Sequence, residues 1–188
     1  MTLIRGFEAL PALQAPVVTL GSYDGVHLGH RALIDALVGE AQRIGGESVV
    51  VTFEPHPRIA LGDSEALQLL TPLEEKAALL TQMGVDYLLV IPFDKAFSVL
   101  SGEEFIQCWL VERLGLHTLV MGYNHRLGHN HLGATEIEAL GVRVIKVEEC
   151  SLAGAHISST AIRRLIAQGR MREAEALLGH PIALTRKK

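Results

Sequence analysis

Residues 21–30, GSYDGVHLGH, bring two histidines, three glycines and a carboxylate into ten positions. His27 and His30 stand at i and i+3, so both imidazoles can face one ligand if they enter a helix. The β-prone run Val17, Val18, Thr19, Leu20 precedes them, and a helical pattern through Leu33, Ile34, Leu37, Val38 and Ala41 follows. A loop leading from a strand to a helix N-terminus suits anions, because the free amides there carry partial positive charge. Gly21 and Gly25 let the backbone turn closely, and the histidines add hydrogen-bond donors. A triphosphate fits that environment. A single histidine near a helix start would be read as a cap or surface residue; two with an intervening glycine point to a site.

Three further segments have unusual chemistry. ISSTAIRR over 157–164 opens a helix with Ser158, Ser159 and Thr160, and sets Arg163 one turn later on the same face. A guanidinium matches phosphate oxygens through a bidentate fork, which suits Arg163 to a departing pyrophosphate, whereas Arg164 points to solvent. GYNHRLGHNHLG over 122–133 supplies Asn124, Arg126 and three histidines on a loop after a strand. His125, His129 and His131 invite a zinc reading, but no cysteine or helical pair completes a four-ligand set, so a polar substrate loop is expected. TFEPHPR over 52–58 ends a strand at Phe53, and Pro55 and Pro57 then impose a stiff, extended loop that can wall a ligand pocket. His56 is a weaker candidate there.

The elements that position these segments are short apolar runs alternating with helical patterns. Strands are expected over 17–20, 48–53, 87–91, 118–121 and 142–147. A helix beginning after Thr71 and Pro72 has Thr71 as its cap and Glu74 closing a capping box. Another opens at Ser101 and carries Phe105, Ile106, Trp109 and Leu110 to a stop at Gly115. Helices over 159–168 and 171–178 close the chain. About five parallel strands with flanking helices define a doubly wound, Rossmann-like α/β fold, in which ligands lie beyond the carboxyl ends of the strands. The four segments sit at those ends. A chain of 188 residues suits one such domain over its whole length.

Composition excludes several classes. A net charge of -4 gives no global attraction for nucleic acid. The two cysteines, Cys108 and Cys150, have no metal or redox spacing and are expected to be buried small hydrophobes. Glu8, Pro11, Gln14 and Pro16 interrupt any signal-like segment, and no run approaches the ~18 apolar residues of a membrane span. The expectation is a reduced, cytoplasmic enzyme without membrane contact.

GSYDGVHLGH, TFEPHPR, IPFDKAFSVLSGEEF, GYNHRLG and ISSTAIR, in this order, resemble the adenylyltransferase module of bacterial bifunctional riboflavin kinase/FAD synthetases, over nearly the whole chain. The His27-Leu28-Gly29-His30 signature by itself is shared by the wider nucleotidyltransferase superfamily. The resemblance implies transfer of an adenylyl group from ATP to FMN, giving FAD and pyrophosphate. It implies His27, His30 and Arg163 as catalytic groups, with ATP held by Gly21, Asp24, Gly25, Gly29, Ser158, Ser159 and Thr160. FMN would lie near Phe53, Pro55, Pro57 and Asn124. Asp24 is expected mainly to shape its loop. Magnesium would arrive with the ATP phosphates rather than on a protein site. The chain departs from the family at His125 and Leu127, where aromatics are common. Family members usually continue into a riboflavin kinase module about where this chain stops, after LLGHPIALTRKK, so the module is absent from this chain, which is either naturally monofunctional, with FMN supplied by a separate kinase, or a fragment. The alternatives are a superfamily member with another phosphate acceptor and a flavin- or nucleotide-binding regulator. A class I aminoacyl-tRNA synthetase would need a longer chain and a second, lysine-bearing motif.

Overall fold

The computed structural model describes residues 1–62, 67–152 and 155–182. Six strands form one sheet: β1 (Thr2–Arg5), β2 (Val17–Leu20), β3 (Ser48–Glu54), β4 (Tyr87–Pro92), β5 (Thr118–Gly122) and β6 (Arg143–Val147). Their order is β1-β4-β3-β2-β5-β6, with every pairing parallel. All five expected strands are present. The sixth, β1, was not expected. Of its four residues only Ile4 is buried, so it lacks the apolar run that marks an interior strand. It is an edge strand held in register by β4.

The helices are α1 (Leu28–Ile44), α2 (Pro57–Ala60), α3 (Leu73–Gln82), α4 (Lys95–Ser98), α5 (Gly102–Glu104), α6 (Ala134–Ala139), α7 (Ser159–Ala167) and α8 (Met171–Leu178). After α5 the backbone takes π-type winding over Phe105–Arg113, where the sequence predicts an ordinary α-helix. The start of that segment agrees with expectation, because Ser101 caps it by accepting from the Glu104 amide at 3.1 Å.

Successive strand residues point to opposite faces, and the two faces make two separate cores. Val18, Leu20, Val49, Val51, Leu119 and Met121 pack on one side with Phe105, Ile106, Leu110 and Ile137. Val17, Val50, Leu88, Val90 and Val120 pack on the other with Ile34 and Leu37 of α1 and Leu73 and Leu80 of α3. β2 is buried along its whole length because helices cover both faces. A third cluster of Ile162, Ala174 and Leu178 joins α7 to α8.

The sheet order fixes where a ligand can enter. From β2 the chain proceeds to β3 on one side, while β5 lies on the other, so the winding direction reverses between β2 and β5. Loops leaving the carboxyl ends of these two strands part in opposite directions and leave a crevice. GSYDGVHLGH follows β2 and GYNHRLG follows β5.

Candidate active site

The crevice holds a cavity of about 420 Å³. Its walls include His27, Gly29 and His30 from the start of α1, Asn124 and His125 after β5, and Ser158, Ser159, Thr160 and Arg163 from α7. Segments more than 120 residues apart in the chain thus meet at one place, as the motif reading requires. The N-termini of α1 and α7 both open onto it, which gives the cavity two sets of unpaired helix amides.

His27 caps α1, its Nδ1 accepting the His30 amide at 3.3 Å. An accepting Nδ1 leaves the neutral ring's proton on Nε2. The two imidazoles stack with centroids 3.6 Å apart and planes inclined by 14°. Tyr23 presses edge-on against His30 from another side at 5.1 Å, and its hydroxyl lies 2.7 Å from Thr19 Oγ1, which in turn donates to the Val120 carbonyl at 2.8 Å. A substituent on Gly29 would stand 3.3 Å from the His27 ring, so the small residue lets His27 fold back over the helix start.

Burial, then the neighbouring His27 and Lys76, hold the His30 imidazole well below the usual histidine range, so it is neutral at pH 7. Its Nδ1 is buried and has no hydrogen-bond partner among the described residues. Buried polar atoms are nearly always paired; this ring is held by stacking and packing against His27 and Tyr23 rather than by a hydrogen bond at Nδ1.

Sequence reasoning missed Lys76. Its ammonium is buried on α3 and donates to the Ser22 carbonyl at 2.5 Å and to Thr52 Oγ1 at 3.3 Å. Burial pushes its pKa down, against the pull of Asp24 and Glu54. A lysine on the apolar stripe formed by Leu73, Ala77 and Leu80 was the available signal, since a cation placed there needs a buried partner.

Arg163 is placed differently from expectation. Its Nη2 pairs with Asp24 Oδ2, and its Nε donates to the Gln68 carbonyl at 2.9 Å. Asp24 is only 1% exposed, and its other oxygen accepts the Leu70 and Thr71 amides at 2.8 and 3.1 Å. Ser159 Oγ donates to the Asp24 carbonyl at 2.8 Å, and Ser158 Oγ caps α7 by accepting from the Ala161 amide at 3.3 Å. Both serine hydroxyls therefore serve the protein. Gly21, Asp24 and Gly25 lie under the cavity rather than in its wall and fix the loop's shape.

Two further expectations change. Thr71 does not cap α3: the N-cap is Pro72, without a side-chain bond, and Thr71 Oγ1 accepts the Gly25 amide at 2.9 Å. The hydroxyl is drawn to the loop after β2 because that buried amide has a greater need of an acceptor than an exposed helix end. The extended loop expected after Phe53 turns instead into α2, with Pro57 at its first position and His56 as cap, Nδ1 accepting the Arg58 amide at 3.2 Å. His56 lines the cavity, and burial lowers its pKa, opposed by Asp24.

A second cavity of about 300 Å³ adjoins the first. Phe53, Phe93, Phe97 and Phe105 line it in a cluster of edge-to-face and tilted rings with centroid separations of 5.4 to 5.7 Å. Of the four residues the sequence places near a flavin, Phe53 lines this cavity, Asn124 lines the first, and Pro55 and Pro57 line neither. The other phenylalanines fall within IPFDKAFSVLSGEEF, where their spacing was the unused signal. Among the described residues no group of three or more His, Cys, Asp or Glu could hold a metal ion. Cys108, expected to be buried, is exposed, and Cys150 is half-buried in the wall of the first cavity.

A parallel sheet with its crevice at the reversal point and two helix N-termini around a histidine pair defines an α/β protein of the nucleotidyltransferase fold class. The sequence matches the FAD synthetase family over residues 10–161. The chain belongs to that family. It is 37% identical to a bifunctional riboflavin kinase/FMN adenylyltransferase of Escherichia coli K12, over 98% of this chain and 61% of that protein. It is 38% identical to one from Listeria monocytogenes, over 88% of this chain and 54% of that protein. The chain thus spans under two thirds of the length of both relatives. A solved structure described as a macrolide-efflux protein from Streptococcus pneumoniae superposes with TM-score 0.87 at 27% identity, over 97% of this chain and 61% of that one. No described helix here is long and apolar enough to cross a membrane.

Proposed function

We propose that residues 1–188 form an adenylyltransferase domain that joins AMP from ATP to the phosphate of FMN, giving FAD and pyrophosphate. The observation that carries this reading is the polar cavity lined by the stacked His27–His30 pair and the α7 N-terminus, which opens beside an aromatic one. A triphosphate and a planar ring need two such compartments side by side. The relatives' names contain the same activity, and they support the choice of acceptor.

In this mechanism a phosphate oxygen of FMN attacks the α-phosphorus of ATP, and the bond to the β,γ-pyrophosphate breaks. The acceptor phosphate has a second pKa near ~6, so it is largely ionised at neutral pH and needs alignment more than a base. No protein nucleophile takes part, and the serines at 158 and 159 stay unmodified. His27 and His30 donate hydrogen bonds to phosphate oxygens, His30 as a neutral ring. The amide ends of α1 and α7 stabilise charge that grows in the transition state. Arg163 acts through its position beside the α7 amides, with two of its nitrogens already committed to Asp24 and Gln68. Asn124 and Phe53 contact the acceptor from the two cavities.

Magnesium fits as a companion of ATP. Both oxygens of Asp24 are occupied by protein donors, and the described residues lack a three-ligand cluster, so phosphate and water would supply most of the ligands. The cation would neutralise charge on the departing pyrophosphate. A riboflavin kinase would supply the FMN, in the cytoplasm where ATP is abundant.

The test is incubation of pure protein with MgATP and, separately, FMN, riboflavin, phosphopantetheine and nicotinamide mononucleotide, with assay of pyrophosphate and adenylylated product. FAD formation from FMN alone is expected. Product from another acceptor, or nucleotide binding without turnover, would overturn the reading. His30→Ala should lower turnover by at least about a hundredfold while changing stability far less.

A further inference from the structure

Among the described residues, His125 is the one that lines both cavities. On one side it faces the compartment of His30, Asn124 and the α7 N-terminus; on the other it faces Phe53, Phe97 and Phe105. Its backbone is fixed by a turn, the His125 amide donating to the Gly122 carbonyl at 3.1 Å directly after β5. Two residues on, Leu127 and Leu132 exchange backbone hydrogen bonds of 2.9 and 2.7 Å, so the loop is anchored on its far side as well.

The ring itself makes no hydrogen bond with any described residue. Burial pushes its pKa down to about 4, so it is neutral at physiological pH. A neutral imidazole carries one donor and one acceptor at opposite edges. Neither is used by a described residue. An apolar residue would fill this place at lower cost if only packing against the phenylalanines were required.

We propose that His125 positions the acceptor by holding the hydroxylated chain that links its planar ring to its phosphate, in the throat where the two cavities meet. This inference rests on FMN as the acceptor and assigns a role within that site. A ring seated among the phenylalanines and a phosphate near His30 require the connecting chain to pass His125. Hydroxyl groups both donate and accept, which matches the two edges of the neutral imidazole. His125 is thus a selectivity residue: it favours acceptors whose ring and phosphate are joined by a polyol.

Flavin fluorescence quenching separates this role from simple packing. Dissociation constants are measured for FMN and for lumiflavin, which has the ring without the chain, on wild type, His125→Phe and His125→Gln, with thermal melts of each. In His125→Phe, FMN binding should weaken about tenfold, the order expected for lost hydrogen bonds, while lumiflavin changes by less than about twofold. His125→Gln keeps a donor and an acceptor and should recover most of the FMN affinity. Should His125→Phe fail to fold, His125→Ala supports the same comparison through the ratio of the two constants. An unchanged ratio, whether both ligands weaken equally or neither does, would overturn the positioning role. Failure of wild type to bind FMN would instead overturn the acceptor assignment, and this inference with it.

Discussion

Arg163 on α7 forms an ion pair with Asp24, 139 residues earlier, in the loop after β2. The pair ties the last helical unit to the loop after β2, and Ser159 and His180 reinforce it, donating to the carbonyls of Asp24 and Gly25 at 2.8 Å each. Removing Arg163 leaves a buried carboxylate without its cation, so Arg163→Ala should cost about 3 kcal/mol in urea unfolding. Arg163→Lys should recover only part of this, because an ammonium lacks the fork that reaches both Asp24 and Gln68. A double-mutant cycle with Asp24→Asn should give a coupling above about 1 kcal/mol. Additive effects would show that the two side chains act separately.

The buried histidines make stability depend on pH. His30 and His125 have pKa values below the ordinary 6.5 in the folded protein, so the unfolded chain takes up more protons as the pH falls through that value. Stability is therefore greatest above 6.5 and declines toward the folded pKa, which for His125 is about 4. The slope should approach about 1.4 kcal/mol per pH unit for each ring that stays neutral. Urea titrations between about pH 5 and 6.5 measure it. His125→Gln should flatten the slope by one proton's worth; an unaltered slope would mean that the ring titrates as it does in water.

Lys76 gives a test of what keeps His30 neutral. Its charge lowers the His30 pKa, so Lys76→Met should raise it. NMR titration of the His30 ring should record an upward shift, and the acid limb of the kcat/KM profile should move to higher pH with it. Loss of the bonds to the Ser22 carbonyl and Thr52 should also lower turnover several-fold. A His30 titration identical to wild type would rule out electrostatic control by Lys76.

Gly25 has φ +90°, and a Cβ there would come within 2.8 Å of Leu70 and 3.1 Å of Leu178. Gly25→Ala therefore strains the backbone and also pushes the end of α8 away from the loop. A loss of at least about 2 kcal/mol is expected, together with weaker ATP binding measured by calorimetry. Full stability in the variant would mean that the loop can relax without moving α8.

The sequence by itself determined the strand, loop and helix around His27 and His30, because each follows from local rules. An apolar run sets β2, glycines permit the turn, and the periodic stripe through Ile34 and Leu37 sets α1. It also set the sheet's class, since five alternating units leave a parallel arrangement as the economical one, and it located Ser158, Thr160 and Arg163 at a helix start. Nonlocal competition was invisible to it. The Thr71 hydroxyl had a local use as a cap and a distant use at the Gly25 amide, and only the packing of α3 under the loop decided for the second. Arg163 had a carboxylate partner that lies far away in the chain, so its commitment to Asp24 could be learned only from the fold. Lys76 and the phenylalanine cluster gain their roles from the sheet face on which they land, and β1 gains its place from β4. His125 lies on a loop, and whether it faced solvent, one cavity or both depended on how the loops after β3 and β5 and the segment before α5 converge beyond the sheet.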